Sequence, residues 1–309
     1  MAVYTTIDDP SAYFKVQLYT GDGGTNAITF DDTDTDMEPD FVWIKNRDAT
    51  DDHNWFDSVR GVTKLINQAG RAAETTDTDT LTVFGSDGFT VGADVKVNTD
   101  TEKYVAWCMK AETTGSGTTG GEGDAKDYSY SVNTTAGFSI VKYEANGSGG
   151  HTIPHHLGTV PSLFMLRNLE RVADTLQYHH KLSASPGEVF LYLNGTNSIG
   201  SSIIRFHNTA PTSSVFTVGT APDSNQDGEE FIAYLWTGKQ GYSKFGTYEG
   251  TGNAEGTFVY TGFRPALIIT KSFDSTSSWH MFDNRREGYN VDNDALVSEA
   301  TTAEATTDM

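Results

Sequence analysis

A single cysteine, Cys108, excludes any internal disulfide. Its place in the apolar run Tyr104-Val-Ala-Trp-Cys-Met109 makes it a small buried hydrophobe rather than a nucleophile. No apolar stretch approaches the length that crosses a bilayer, so membrane insertion is not expected. The first ten residues, Met1-Ala-Val-Tyr-Thr-Thr-Ile-Asp-Asp-Pro10, carry neither a basic n-region nor an apolar h-region and so no secretion signal. The product is expected to stay in the cytoplasm of its maker or to leave it within an assembly. Basic charge is scarce, with 21 Lys and Arg against 42 Asp and Glu and a formal charge of −21. That field repels nucleic acid and anionic lipid and excludes a DNA-binding role. A Gly-x-Ser-x-Gly elbow, a phosphate loop and a zinc quartet are all missing.

What is present is β-forming. The 31 glycines, abundant Ser and Thr, and few helix-forming runs describe strands joined by turns, and 12% aromatics are too many for a disordered chain. One stretch is written three times: Pro39-Asp-Phe-Val-Trp-Ile-Lys45-Asn46, Pro161-Ser-Leu-Phe-Met-Leu-Arg167-Asn168 and Pro265-Ala-Leu-Ile-Ile-Thr-Lys271-Ser272. Proline can open a strand because the first residue can do without its ladder N–H, and the apolar run after it predicts a strand buried on both faces.

Agreement extends beyond that strand. An aromatic sits at one offset from each proline (Phe56, Tyr178, Phe282), followed by Asp57, His179 and Asp283, and Arg60 matches Arg286. Phe89-Thr-Val-Gly92, Asn98 and Tyr104-Val-Ala-Trp107 match Phe216-Thr-Val-Gly219, Asn225 and Phe231-Ile-Ala-Tyr234 without a gap. Lead-in strands Tyr13–Tyr19, Gly137–Tyr143 and Gly241–Tyr248 each run into a glycine-rich turn. A period of roughly a hundred residues is domain-sized rather than solenoidal.

The expected fold is therefore all-β: tandem antiparallel β-sandwiches of jelly-roll or lectin-like kind. The first sandwich covers residues 1–111 and the second 128–240. Residues 112–127, rich in Gly, Ser and Thr, are expected to form a flexible linker or exposed loop. Asp57–Asn67 reads as a helical turn or a bent strand. Phe190–Thr196 reads as a strand turning at Asn194-Gly195, with Ser201–Phe206 returning. The third copy, 241–309, stops before the two strands that complete the others. That leaves open edges, so the chain is read as a fragment of a longer protein, with strands supplied by another subunit as the alternative.

Several residue groups suggest chemistry. Asp32, Asp34 and Asp36 space carboxylates as a calcium loop does, but the glycine and bidentate glutamate of such a loop are missing, which favours a solvated acidic turn. His151, His155 and His156 with His179 or His180 would suit a metal, yet the other copies do not reproduce them, which favours local structural use. Asp57 with Arg60, and Asp283 with Arg286, suggest structural ion pairs rather than catalytic ones. Glu229 and Glu230 are neighbours and point to opposite faces of a strand, so they cannot pair for glycoside cleavage. Asn146-Gly-Ser148 and Asn194-Gly-Thr196 fit the glycosylation pattern but read as turns. Ligand contact, if any, is placed on the exposed turns at Gly115, Gly123, Asn146, Gly150 and Asn253.

Three stretches carry a resemblance over nearly the whole chain: Pro39–Arg47 with Phe56-Asp-Ser-Val-Arg-Gly61; Ser86–Gly92 with Val97-Asn98 and Tyr104–Cys108; and His156-Leu-Gly-Thr-Val-Pro161. Together they resemble an uncharacterised domain family of virion structural and tail-fibre proteins of tailed bacteriophages, in which the last copy usually continues into the strands missing here. The first copy departs from it, with Asp36-Met-Glu-Pro39 in place of the histidine-glycine lead-in. The resemblance implies a non-enzymatic virion protein without cofactor. It would be a tail fibre or adhesin contacting a host glycan through loops multiplied by copy number. Its partners would be other virion proteins and further copies of itself, with a trimer by analogy. A capsid or tail decoration protein without host ligand is the alternative, and a polysaccharide depolymerase a weaker one.

Overall fold

The computed structural model describes residues 4–30, 35–253, 255–286 and 294–305. The fold is all-β, built from antiparallel sheets that stack as sandwiches. Helix among the described residues is confined to single turns, Val95–Asn98, Ile203–Phe206 and Pro222–Asn225 with two three-residue 3₁₀ pieces.

In the first segment a six-stranded sheet runs Phe14–Thr20, Lys103–Met109, Phe41–Asn46, Asn54–Asp57, Lys64–Asn67, Thr75–Thr76. A three-stranded sheet, Asn26–Thr29, Gly88–Val91, Leu81–Gly85, covers one of its faces. Alternation along the strands decides what lies between them. Val42, Ile44, Phe56, Tyr104, Ala106 and Cys108 meet Ile28, Leu81, Phe89 and Val91 in one core.

The second segment places corresponding strands in the same order. Its large sheet runs Phe138–Glu144, Glu230–Trp236, Leu163–Asn168, Leu176–His179, Val189–Tyr192, Gly200–Ser201, and its small sheet pairs His151–Pro154 with Val215–Val218. Two strands, Thr113–Thr118 and Asp127–Asn133, extend the large sheet outward. Between the sheets lies an aromatic core of Tyr143, Phe164, Tyr178, Phe206, Phe216 and Phe231.

The opposite faces of the two large sheets pack on each other. Phe41 meets Tyr234 at 4.8 Å between ring centroids, Trp55 meets Tyr234 at 5.3 Å, and Phe41 meets Phe138 at 6.2 Å. Burying side chains of this size contributes about 1.5–3 kcal/mol each. This is why Phe41–Asn46 and Leu163–Asn168 are buried along their whole length, as the apolar runs predict. A third sheet, Leu267–Lys271, Trp279–Asp283, Leu296–Val297, sends Trp279, Met281 and Leu296 into the same central core.

The basic residue six positions after each repeated proline joins the three segments. Lys45 Nζ donates to the Thr301 carbonyl at 3.2 Å. Arg167 donates to the Gly70 and Ala72 carbonyls at 3.1 and 2.8 Å. Lys271 Nζ donates to the Thr196 carbonyl at 2.9 Å. The first segment thus grips the third, the second grips the first, and the third grips the second, closing a ring.

Several expectations are corrected. Residues 113–118 form a paired strand rather than a flexible linker or loop. Gly115 and Gly117 lie opposite Tyr130 and Tyr128, whose rings occupy the space a Cβ would need, at 2.6 and 2.8 Å from the hydroxyls. Aromatic rings laid over strand glycines restore the covering that glycine lacks. Ser201–Phe206 does not return as a strand. Only Gly200–Ser201 pairs with Val189 and Phe190, and then the chain coils because the Ile204 and Arg205 carbonyls accept from Ala221 and Gly219. Leu267–Lys271 is only half-buried, and Gly241–Tyr248 forms no strand beyond a bridge between Lys239 and Ser243. Among the described residues both lack the neighbour that Lys103–Met109 and Glu230–Trp236 supply in the other sheets. The Asp57–Asn67 stretch resolves into a turn followed by the strand Lys64–Asn67.

Candidate functional site

The sequence suggested five exposed turn residues, and the fold gathers three of them. Asn146 Nδ2 donates to the Glu122 and Asp124 carbonyls at 3.0 and 2.9 Å, and its Oδ1 accepts from Ser148 N at 3.0 Å. That binds Gly123 (φ +82°) and Gly150 (φ +93°) into one folded corner, where the Gly150 carbonyl accepts from Glu122 N. Asn225 locks the corner from beneath, donating to the Ser148 and Gly219 carbonyls at 2.8 and 2.7 Å. Asn98 does the same in the first segment, donating to the Gly24 and Gly92 carbonyls at 2.8 and 2.9 Å. These polar groups are spent on the turn itself. Gly115 lies elsewhere on its strand, and Asn253 stands exposed in the 246–262 stretch. Asp32 and Asp34 fall outside the described residues, and Asp36 is exposed. Among the described residues no group of three His, Cys, Asp or Glu is placed to hold a metal ion.

The histidines act locally. His151 lies between Asn225 Oδ1 at 3.1 Å and Thr119 Oγ1 at 2.7 Å. His155 bonds the Thr212 carbonyl and accepts from Leu157 N. Burial lowers the pKa of His151, and that of His155 to about 4, so both are neutral at pH 7. Burial pushes the Cys108 thiol well up, consistent with an inert hydrophobe. Asp57–Arg60 and Asp283–Arg286 are fully buried ion pairs. Glu230 pairs with Lys142, and Glu229 with Arg171 and Asn168.

What sequence reasoning missed, Gly115 apart, lies on either side of Thr113–Thr118. One open groove of about 430 Å³ is lined by Tyr13, Glu112, Tyr130, Asn133, Thr134 and His156. A second, of about 590 Å³, is lined by Glu38, Lys110, Glu112, Gly115, Ser116 and Tyr130. Tyr130 and Glu112 are common to both. His156, at φ +59°, stacks on Tyr130 at 3.7 Å between centroids, and its Nε2 lies 3.0 Å from the Tyr128 hydroxyl. With Gly115 behind Tyr130 and His156 in front, the ring offers its edge rather than its face. Asp40 is not free to react. Its Oδ2 accepts from Ala111 N and Glu112 N at 2.7 and 2.8 Å, and its Oδ1 from Ser58 Oγ and Ser131 Oγ at 2.5 and 3.1 Å. The grooves therefore present hydroxyls, an amide, the Glu38 and Glu112 carboxylates and the Lys110 ammonium on a fixed frame, a surface fitted to hydrogen-bond a polar ligand. The sequence signal was there: alternating tyrosines at 128 and 130 across from alternating glycines at 115 and 117.

No curated protein and no solved structure matches this chain. One family matches residues 9–309, described only as a domain of unknown function (DUF7483). With that match running over almost its whole length, the chain belongs to this family of unknown function.

Proposed function

We propose that the protein is a non-enzymatic structural component of a tailed-bacteriophage particle, built from tandem copies of one sandwich. In this reading it is a tail-fibre or adhesin component, and the grooves beside Thr113–Thr118 contact host-surface saccharide. The observation that carries the reading is the pairing of a rigid, interlocked β scaffold with two adjoining polar grooves whose deepest carboxylate, Asp40, is already saturated with hydrogen bonds. Hydroxyl- and amide-lined grooves suit sugar hydroxyls, and repetition in an assembly raises weak binding by roughly 10²–10⁴. The acidic charge favours solubility at high copy number. Self-association into a trimer is part of the proposal by analogy with fibres.

Immunogold electron microscopy of intact particles with antibody against this chain tests the virion role. Label on the tail or its appendages supports host contact. Label over the head favours a decoration protein without host ligand, and no label on matched particles rejects a surface virion role. A glycan array tests the ligand, with Tyr130→Ala and Asn133→Ala expected to weaken any hit by at least several-fold.

A further inference from the structure

Glu112 walls both grooves beside Thr113–Thr118, and its main chain is held in a conformation that L residues rarely adopt. Its φ is +85°, and across it Thr113 N–H donates to the Ala111 carbonyl at 3.2 Å, closing a three-residue turn of the strained hand. Asp40 holds that turn in place. Its Oδ2 takes the Ala111 and Glu112 N–H groups, and its Oδ1 is braced by Ser58 and Ser131. The four hydrogen bonds that keep Asp40 from reacting thus fix where the Glu112 side chain leaves the backbone. Strain of this kind persists where the surroundings impose it, and it gathers at ligand sites.

The carboxylate so placed is unspent. The Glu112 side chain is 61% exposed, and its ion-pair partner among the described residues, Lys110 Nζ, stands at 3.6 Å, beyond hydrogen-bond length. Charge in the grooves leans one way, with Glu38, Asp40 and Glu112 set against Lys110. His156 adds no positive charge at neutral pH, because burial lowers its pKa. With a formal charge of −21 on the chain, an acidic sugar is repelled and a cationic one drawn in. Around the carboxylate, Tyr13, Ser116, Tyr130, Asn133 and Thr134 supply the neutral donors and acceptors that sugar hydroxyls need.

We propose that Glu112 is a specificity-determining residue for a saccharide bearing a free amine, its carboxylate accepting from the sugar ammonium where the two grooves meet. This rests on the saccharide reading of the grooves and narrows it to amino sugars whose nitrogen is not acetylated. An ammonium forms a charge-assisted bond to the carboxylate, whereas an acetylated nitrogen offers only a neutral amide N–H. The turn at Glu112 keeps the acceptor at one place, so the sugar does not have to order it on binding.

The test titrates the whole chain calorimetrically with a chitosan tetrasaccharide and with its fully N-acetylated counterpart, at a pH where the free amine is charged. The chitosan chain should bind roughly three- to fivefold more tightly, what a part-exposed charged pair contributes, and the difference should shrink as salt is raised. Glu112→Gln, checked for an unchanged melting temperature, should remove the preference and leave the N-acetylated chain binding as before. Glu38→Gln should keep most of the preference, and Lys110→Met, which frees Glu112 from its cation, should enlarge it. Equal binding of the two oligosaccharides overturns the proposal. So does a preference that survives Glu112→Gln, or one that falls equally in Glu38→Gln, which would assign it to the general acidic field. In each of those cases binding that is lost in Tyr130→Ala leaves the saccharide reading standing. A chain that captures other glycans but neither of these overturns the amine preference alone, and a chain that captures no glycan overturns both.

Discussion

Gly115 shows how one residue type can be dictated by a neighbour's ring. A Cβ there would stand 2.6 Å from the Tyr130 hydroxyl and 2.7 Å from two ring carbons, so any side chain displaces the tyrosine. Gly115→Val is expected to cost about 1–3 kcal/mol, the range for overpacking, read as a lower urea midpoint at unchanged slope. It should also alter both grooves, since Tyr130 walls each of them. The buried histidines set a pH response. His151, His155 and His179 all have lowered pKa values, the last two about 4. The unfolded chain therefore binds more protons than the folded one between about pH 4 and 6.5. Stability from these groups is complete above about 6.5 and is lost as pH falls toward 4. For His155 the shift from 6.5 to about 4 corresponds to at most about 3 kcal/mol. Urea titrations at several pH values should show this decline, and His155→Gln should make it shallower. A decline unchanged in that variant would assign the acid response to other groups.

At the scale of elements, the repeated corner after the strand Asn54–Asp57 is the most constrained feature. Asp57 accepts from Arg60 and from Tyr234, and Arg60 also reaches Glu74 at 3.0 Å and the Trp55 carbonyl at 3.1 Å. Arg60 pKa is raised despite its burial, because Asp57, Tyr234 and Glu74 hold its charge. Removing one partner leaves the other charged and buried. Asp57→Leu is expected to cost about 3–5 kcal/mol, and Asp57→Leu with Arg60→Met clearly less than the sum of the singles. A double-variant cycle by denaturant unfolding measures this, and strict additivity would show that the two do not act as a pair. These elements were legible because a corner that repeats Asp, Arg and an aromatic at one spacing needs no tertiary information. The strands 41–46 and 163–168 were legible for the same reason, from unbroken apolar runs. Thr113–Thr118 was not, because Gly115 and Gly117 weaken the strand preference of its threonines and its support comes from Tyr128 and Tyr130 across the ladder. Ile203–Phe206 misled in the opposite direction. Its β-branched residues favour a strand locally, yet its carbonyls are held by Gly219 and Ala221, far along the chain. The grooves were illegible because they arise where the first segment's Tyr13 and Glu38 come beside the second segment's Tyr130.

For the whole molecule, the ring of basic clamps and the shared central core argue that the segments unfold together. The central core draws on all three segments, so none can leave without exposing Trp43, Trp55, Trp107 and Tyr234 to water. The clamps differ in depth. Arg167 is 1% exposed and donates to Gly70 and Ala72 carbonyls and to Thr175 Oγ1, whereas Lys271 Nζ works in a half-buried setting. Burial lowers the Arg167 pKa to about 10, so it remains charged at neutral pH and needs these acceptors. Arg167→Met strands two carbonyls at the seam between the first two segments and is expected to cost about 2–4 kcal/mol. Lys271→Met should cost under about 1 kcal/mol, since water can reach the carbonyl it releases. Calorimetry of the unaltered chain should give one transition whose calorimetric and van't Hoff enthalpies agree, the mark of a single cooperative unit. Cleaving the backbone between residues 119 and 127 should leave both halves associated at native pH, because the seam is held by the core and by Arg167 rather than by the peptide link. If instead the halves separate on size exclusion, or two transitions appear, the large sheets are independent modules and the clamp ring is incidental to their stability.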